Sequence, residues 1–290
     1  PGIGEIIAQK ITGQNVLDKG EAEVDFIKKH RINVLFYIDS DYPQRLKHCN
    51  DAPMLLYHKG NADFNRQKVI SIVGTRSATE YGRQQCENII EQLVQRRHNP
   101  IIISGLAYGI DICAHRAALK NKLTTIAVLA HGLDTIYPAL HRSVAKEIVT
   151  NGGLVSEFIS KTKIDRKYFL QRNRIIAGLS DATLVVESAK KGGALVTADI
   201  ANSYNRDVFA FPGRNGDKYS EGCNWLIKTH KASLIQSVDD IEYLLNWDMP
   251  DSNSNKRTVQ KSLFTELTDE EQKIVNTLKQ HNELPIDIIS

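Results

Sequence analysis

The sequence predicts an α/β protein on a doubly wound, mostly parallel sheet of six or more strands over about residues 65–246. Three observations carry this. Short apolar, β-branched runs recur along the chain, segments of helical spacing alternate with them, and glycine closes most of the runs. Strands that are apolar throughout need cover on both faces, and intervening helices supply it through right-handed crossovers. The architecture is therefore Rossmann-like, and in such sheets ligands bind beyond the carboxyl ends of the strands, where the strand order reverses.

In chain order, KVISIVG (68–74) reads as a strand and ATEYGRQQCENIIEQLVQRR (78–97) as a helix starting near Thr79. NPIIISG (99–105) is the second strand, followed by the helical GIDICAHRAALKN (109–121). TTIAVLA (124–130) is the third, then a turn with Gly132 and Pro138, and HRSVAKEIVTNGG (141–153) is a helix with a glycine stop. LVSE (154–157) is a short strand, and after a basic segment RNRIIAGLS (172–180) reads as a short helix. ATLVVES and DVFAFPG are further buried strands around the helix ALVTADIANSYNR (194–206), with a last helix near 238–246.

The flanks differ in texture. Residues 1–64 show helix-like spacing and are expected to form a small helical domain of the helix-hairpin-helix or SAM-like kind. Its PGIG turn either holds a backbone phosphate at a helix start or simply begins a helix. The chain has no initiator Met, so its natural start is expected before Pro1. Residues 247–264 are polar and read as a linker. Residues 265–290 carry a helix start at Thr268 with Glu271 three residues on, and are expected to open a truncated winged-helix-like domain.

Composition excludes several classes. The 290 residues are 41% hydrophobic and 24% charged with a net charge of +3, an ordinary globular balance. No run is long enough for a membrane span and the start is no secretory signal, so a cytoplasmic location is expected. The four cysteines, Cys49, Cys86, Cys113 and Cys223, form no CxxC pair and are expected to be reduced; no metal site and no cofactor is expected.

Binding candidates gather at the glycine turns. Gly74, Thr75 and Arg76 follow the first strand, where free amides, a helix dipole and a guanidinium suit an anion. The turn carries neither GxGxxG nor a Walker GK[ST] sequence. Ser104, Gly105 and Gly109 form a second such turn, with Asp111 as the expected helix cap and His115 one turn on. Ser, Asp and His so close invite a catalytic triad, but there is no GxSxG elbow, and no catalytic residue is assigned. Tyr137 either stacks on a base or covers the sheet edge. KTKIDRKYFLQRNR (161–174) sets six basic residues against one acidic, with Tyr168 and Phe169 interleaved. Cations that follow phosphates and rings that stack on bases are how single strands are held, which marks Lys167 and Phe169. Arg172, Asn173 and Arg174 are read at a helix start, where two guanidiniums oppose the dipole unless an anion sits there. Gly192 and Gly193 open another helix with free amides. Several anion sites on one rim suit a polynucleotide better than a single metabolite.

The blocks VGTRSATEYG, SGLAYGIDICAHRAAL, GLDTIYP, GGLVSE, QRNRIIAGLS, VVESAKKGGALVTADIA, FAFPG and EGCNWLIK, in this order over about residues 66–240, resemble the DNA-processing protein A family, also called Smf. The resemblance implies a homodimeric, non-enzymatic, single-stranded-DNA-binding protein of natural transformation. Such a protein protects incoming strands and loads the recombinase RecA. It implies DNA contacts at Gly74, Thr75, Arg76, Arg172, Asn173 and Arg174. Some members carry Lys just after the Tyr-Pro; here that position is Ala139, and Arg142 is read as supplying the charge. The alternative is a nucleotide-cleaving enzyme of the lysine decarboxylase-like phosphoribohydrolase type. Its PGGxGTxxE block would align with KGGALVTAD, where Leu195 and Val196 fill the middle and the Glu is missing.

Overall fold

The computed structural model describes residues 14–247, together with Glu271 and Val275, both helical. The chain divides near residue 250 into two compact units, and the larger holds everything described below. The PGIG turn, residues 248–264 and the Thr268 helix start lie outside the described residues.

The larger unit begins with α1 (Gln14–His30), β1 (Asn33–Phe36), the short α2 (Gln44–Lys47) and β2 (Leu55–Gly60). It continues through β3 (Val69–Val73), α3 (Glu80–Gln95), β4 (Ile101–Ser104), α4 (Ile110–Lys120) and β5 (Thr125–Val128). A 3-10 turn (Ala139–His141), α5 (Arg142–Asn151), β6 (Gly152–Ser156), α6 (Arg166–Gly178) and β7 (Ala182–Val185) come next. The unit ends with α7 (Gly193–Ser203), β8 (Asp207–Ala210), α8 (Glu221–Lys228), β9 (Ser233–Leu234) and α9 (Val238–Leu245). No helix among the described residues is long and apolar enough to cross a membrane.

The nine described strands form one sheet in the order β1-β2-β6-β5-β4-β3-β7-β8-β9. From β6 to β9 along that order every pairing is parallel. Strands β4 to β6 step away from β3 on one side and β7 to β9 on the other, so the order reverses between β3 and β7. Alternate residues of each strand feed opposite faces, as a two-residue side-chain period requires. Val69 and Val73 of β3, with Ile101 and Ile103 of β4, pack on the side of α6, α7 and α8. Ile70, Ile72 and Ile102 face α3, α4 and α9.

The sequence reading placed no strand before residue 68. β1 and β2 form an antiparallel hairpin whose second strand runs antiparallel to β6, with Gly60 opposite Gly153. Gly60 sits at φ +144°, and a Cβ there would meet the Gly152 carbonyl at 2.1 Å, so this seam requires glycine.

Helix starts follow local chemistry. Thr79 caps α3, accepting from the Gly82 amide, and Glu80 lies in the first turn, favourable to the dipole. Ser237 and Asp240 form a reciprocal capping box on α9. All four cysteines are free and buried.

Candidate functional site

At the carboxyl ends of β3 and β7, where the order reverses, lies a cleft of about 1120 Å³. Gly74, Thr75 and Arg76 line one wall, Tyr137, Arg166, Phe169 and Leu170 another, and Ser188 to Val196 at the start of α7 a third. Arg172, Asn173 and Asp111 form the floor.

Arg76 is exposed, and its guanidinium carbon lies 5.5 Å from the centroid of the Phe169 ring. The Phe169 ring in turn meets Tyr137 edge-on at 5.9 Å. A loop after β3, a loop after β5 and a turn of α6 thus place one cation and two rings at the mouth of the cleft. Arg166, Lys190 and Lys191 add exposed positive charge, and none of these four cations is ion-paired to a described residue. The two lining carboxylates are answered by cations: Asp199 accepts from Lys231 Nζ at 2.8 Å, and the buried Asp111 lies in the field of Arg172. The open face of the cleft is therefore positive.

Several sequence-predicted residues also make scaffold contacts. Helix α6 begins at Arg166, so Arg172, Asn173 and Arg174 lie inside it and not at its start. The segment is rich in Arg, Lys, Leu and Gln, all good helix formers, which is why the helix begins six residues earlier than the sequence suggests. Arg172 is 3% exposed and donates from Nη1 to the Val128 carbonyl. Burial holds its pKa down at about 10, partly countered by Asp111. Arg174 is held on another side of the helix by Glu157 and the Asp51 carbonyl, and does not reach the cleft. Glu157 is pushed upward in pKa by burial and drawn back by Arg174. Asn173 Nδ2 lies 3.5 Å from the Gly193 carbonyl and ties α6 to the start of α7.

The second turn is likewise tied up in internal contacts. Ser104 is buried and donates to the Ile72 carbonyl at 2.6 Å. The N-cap of α4 is Gly109, not Asp111; the Asp111 carboxylate reaches back to the amides of Gly105 and Ala107, at 3.2 and 3.4 Å. Burial raises the Asp111 pKa, and the Arg172 charge lowers it. A Cβ on Gly105 would meet the Arg172 guanidinium at 2.1 Å, and Gly109, at φ +78°, packs against the Thr75 carbonyl. His115 is buried with Nδ1 2.7 Å from Thr125 Oγ1, and burial depresses its pKa to about 3. The Gly74 turn offers fewer amides than expected: Thr75 donates to the Glu187 carbonyl, Ser77 to Thr75 Oγ1 and Thr79 to the Glu187 carboxylate. At the start of α7 Gly192 is half-buried against Ser188, while Gly193 is exposed and a Cβ there would meet nothing within 4 Å.

Arg142 and Lys167 are exposed outside the cleft lining; Lys167 lies 3.6 Å from Asp165 and over the Tyr168 ring. The sequence reading missed Arg166, Lys190 and Lys191 as site residues. Their signals were present, in the basic run and directly before the Gly pair. It also missed Glu187, whose buried carboxylate receives the Thr79 amide and hydroxyl. Nothing near Glu187 in sequence reveals a partner 108 residues away.

Comparison with known proteins agrees with this architecture. The chain is 39% identical over 248 residues to Protein Smf of Synechocystis, covering 83% of this chain and 61% of that protein. It is 36% identical over 225 residues to the DNA processing protein DprA of Streptococcus pneumoniae, covering 78% of this chain and 77% of that one. The chain thus spans about three-fifths of the Synechocystis relative and more of the streptococcal one. The crystal structure of the streptococcal protein superposes with a TM-score of 0.70 at 36% identity, over 76% of this chain and 77% of that chain. A structure of DNA processing protein A from Helicobacter pylori, described by its single-stranded DNA binding mode, superposes with a TM-score of 0.66 at 29% identity, over 74% of this chain and 95% of that chain. Residues 33–246 match the sequence model of DNA recombination-mediator protein A, and with these relatives they show that the chain belongs to the DNA recombination-mediator protein A family, that of the DprA and Smf proteins.

Proposed function

We propose that the cleft binds single-stranded DNA without chemical conversion. In this reading the protein acts in natural transformation in the cytoplasm, protecting the incoming strand and handing it to RecA as a homodimer. One observation carries the binding reading: Arg76 laid on Phe169, itself against Tyr137, beside a cleft whose exposed charges without an ion-pair partner among the described residues are all cationic. A phosphate on Arg76 brings its base within reach of the rings, and stacking accepts any base. The single-strand mode described for the Helicobacter relative supports the same assignment. Arg76, Arg166, Lys190 and Lys191 are the phosphate contacts, Phe169 and Tyr137 the stacking surface, and Gly192–Gly193 a site of open amides.

Fluorescence anisotropy with labelled single- and double-stranded oligonucleotides, without added nucleotide, tests this. Single strands are expected to bind in preference to duplex. Phe169→Ala is expected to weaken them roughly tenfold, and Arg76→Ala to weaken every sequence alike. Unchanged binding in both variants overturns the site.

A further inference from the structure

Tyr108 lies on the turn between β4 and α4, outside the cleft, and is 45% exposed. The next residue, Gly109, packs directly on the Thr75–Arg76 backbone: a Cβ there would lie 2.1 Å from the Thr75 carbonyl and 2.7 Å from that of Arg76. Tyr108 is therefore one residue from the backbone that carries Arg76, whose guanidinium meets Phe169. Its ring meets the buried His141 edge-on at 5.0 Å. His141 Nδ1 is 2.8 Å from the Leu106 carbonyl, and since a carbonyl only accepts, that nitrogen carries the hydrogen and fixes the imidazole. The contacts close a circuit round the strand ends, from Phe169 to Tyr137, along the chain to His141, then to Tyr108 and by Gly109 to Arg76. Beside it stand Leu140, 77% exposed, and the exposed Arg142.

We propose that Tyr108 is a second stacking platform for the same strand. It takes the base next along from the one held by Phe169 and Tyr137, with Arg76 on the phosphate between them and Arg142 on the following phosphate. This rests on the single-strand reading above. Three features favour a strand leaving the cleft here over a protein partner: the neighbouring Ala107 lines the cleft, the ring is backed by a fixed imidazole, and Arg76 and Arg142, exposed on the segments that adjoin Gly109 and His141, are both positive.

The test uses oligothymidylates of graded length and a set of equal-length strands with one abasic position moved along them. Tyr108→Ala is expected to leave the shortest bound strands unaffected, to weaken longer ones roughly tenfold, and to make one abasic position silent that is costly in the wild type. Tyr108→Phe is expected to restore both behaviours. A loss equal at all lengths, or an abasic profile unchanged by Tyr108→Ala, overturns the proposal even if Arg76→Ala abolishes binding. If Arg76→Ala and Phe169→Ala also change nothing, the single-strand reading falls with it.

Discussion

Arg172 directs its charge at the protein: its guanidinium fills the space over Gly105, donates to Val128 and lies beside Asp111. Arg76, three strands earlier in sequence, keeps its charge in solvent. A sequence reading marks both as phosphate ligands because residue type is visible there and burial is not. The histidines make the same point. Burial alone depresses His58 to about 4, and burial with Arg172 and His141 nearby depresses His115 to about 3. Both are bases with lowered folded-state pKa, so between pH 6.5 and 4 the unfolded chain binds protons that the native state refuses. Stability is complete above the unfolded value and falls as pH drops through it, by up to about 1.4 kcal/mol per pH unit for each histidine. Urea unfolding at pH 7, 6 and 5 is expected to show this decline, and His58→Gln to make it shallower; equal slopes in the two proteins refute the assignment for His58.

At the scale of elements, the junction of β7 with α3 shows how a turn is made rigid. Glu187 receives the Thr79 amide and hydroxyl, and Gly82, one turn into α3, leaves room for its carboxylate. Replacing an exposed mid-helix glycine by alanine ordinarily gains about 1 kcal/mol. Here a Cβ on Gly82 would lie 2.2 Å from Glu187 Oε2, and the carboxylate is buried and tied to Thr79. Gly82→Ala is therefore expected to lower stability by roughly 1–3 kcal/mol, seen as a lower denaturation midpoint; a raised midpoint contradicts the packing. Strands β3 to β8 were legible in sequence, each an apolar run within a strong alternation. β1 and β2 were not, because NVLF and LLYHKG lie outside that alternation and LLYHKG ends in polar residues. Their strand state comes from pairing with each other and, for β2, with β6, a tertiary effect that local propensity does not carry.

For the whole molecule, net charge says little: +3 over 290 residues is nearly balanced. What distinguishes the surface is the placement of Arg76, Arg166, Lys190 and Lys191 at one opening, with the carboxylates of that opening neutralised by Arg172 and Lys231. If all four meet phosphates, the logarithm of affinity for a single strand falls against the logarithm of salt with a slope of about −3. Removing Lys190 or Lys191 is expected to reduce that slope by roughly 0.7, read from anisotropy titrations across a salt series; a slope near zero rules out phosphate-led binding. The parallel order of the sheet made the location of this opening readable in advance, since ligand sites follow strand reversals. The separation of Arg174 from it was not readable, because one helical residue of offset turns a side chain to another face.

The antiparallel seam at Gly60 has a consequence in time. β2 is made early, but its partner in the sheet is β6, and Gly60 meets Gly153 only after the chain between them has been synthesised. On a ribosome the first hairpin thus waits, one edge open, until β6 has emerged, beside strands that are younger than itself.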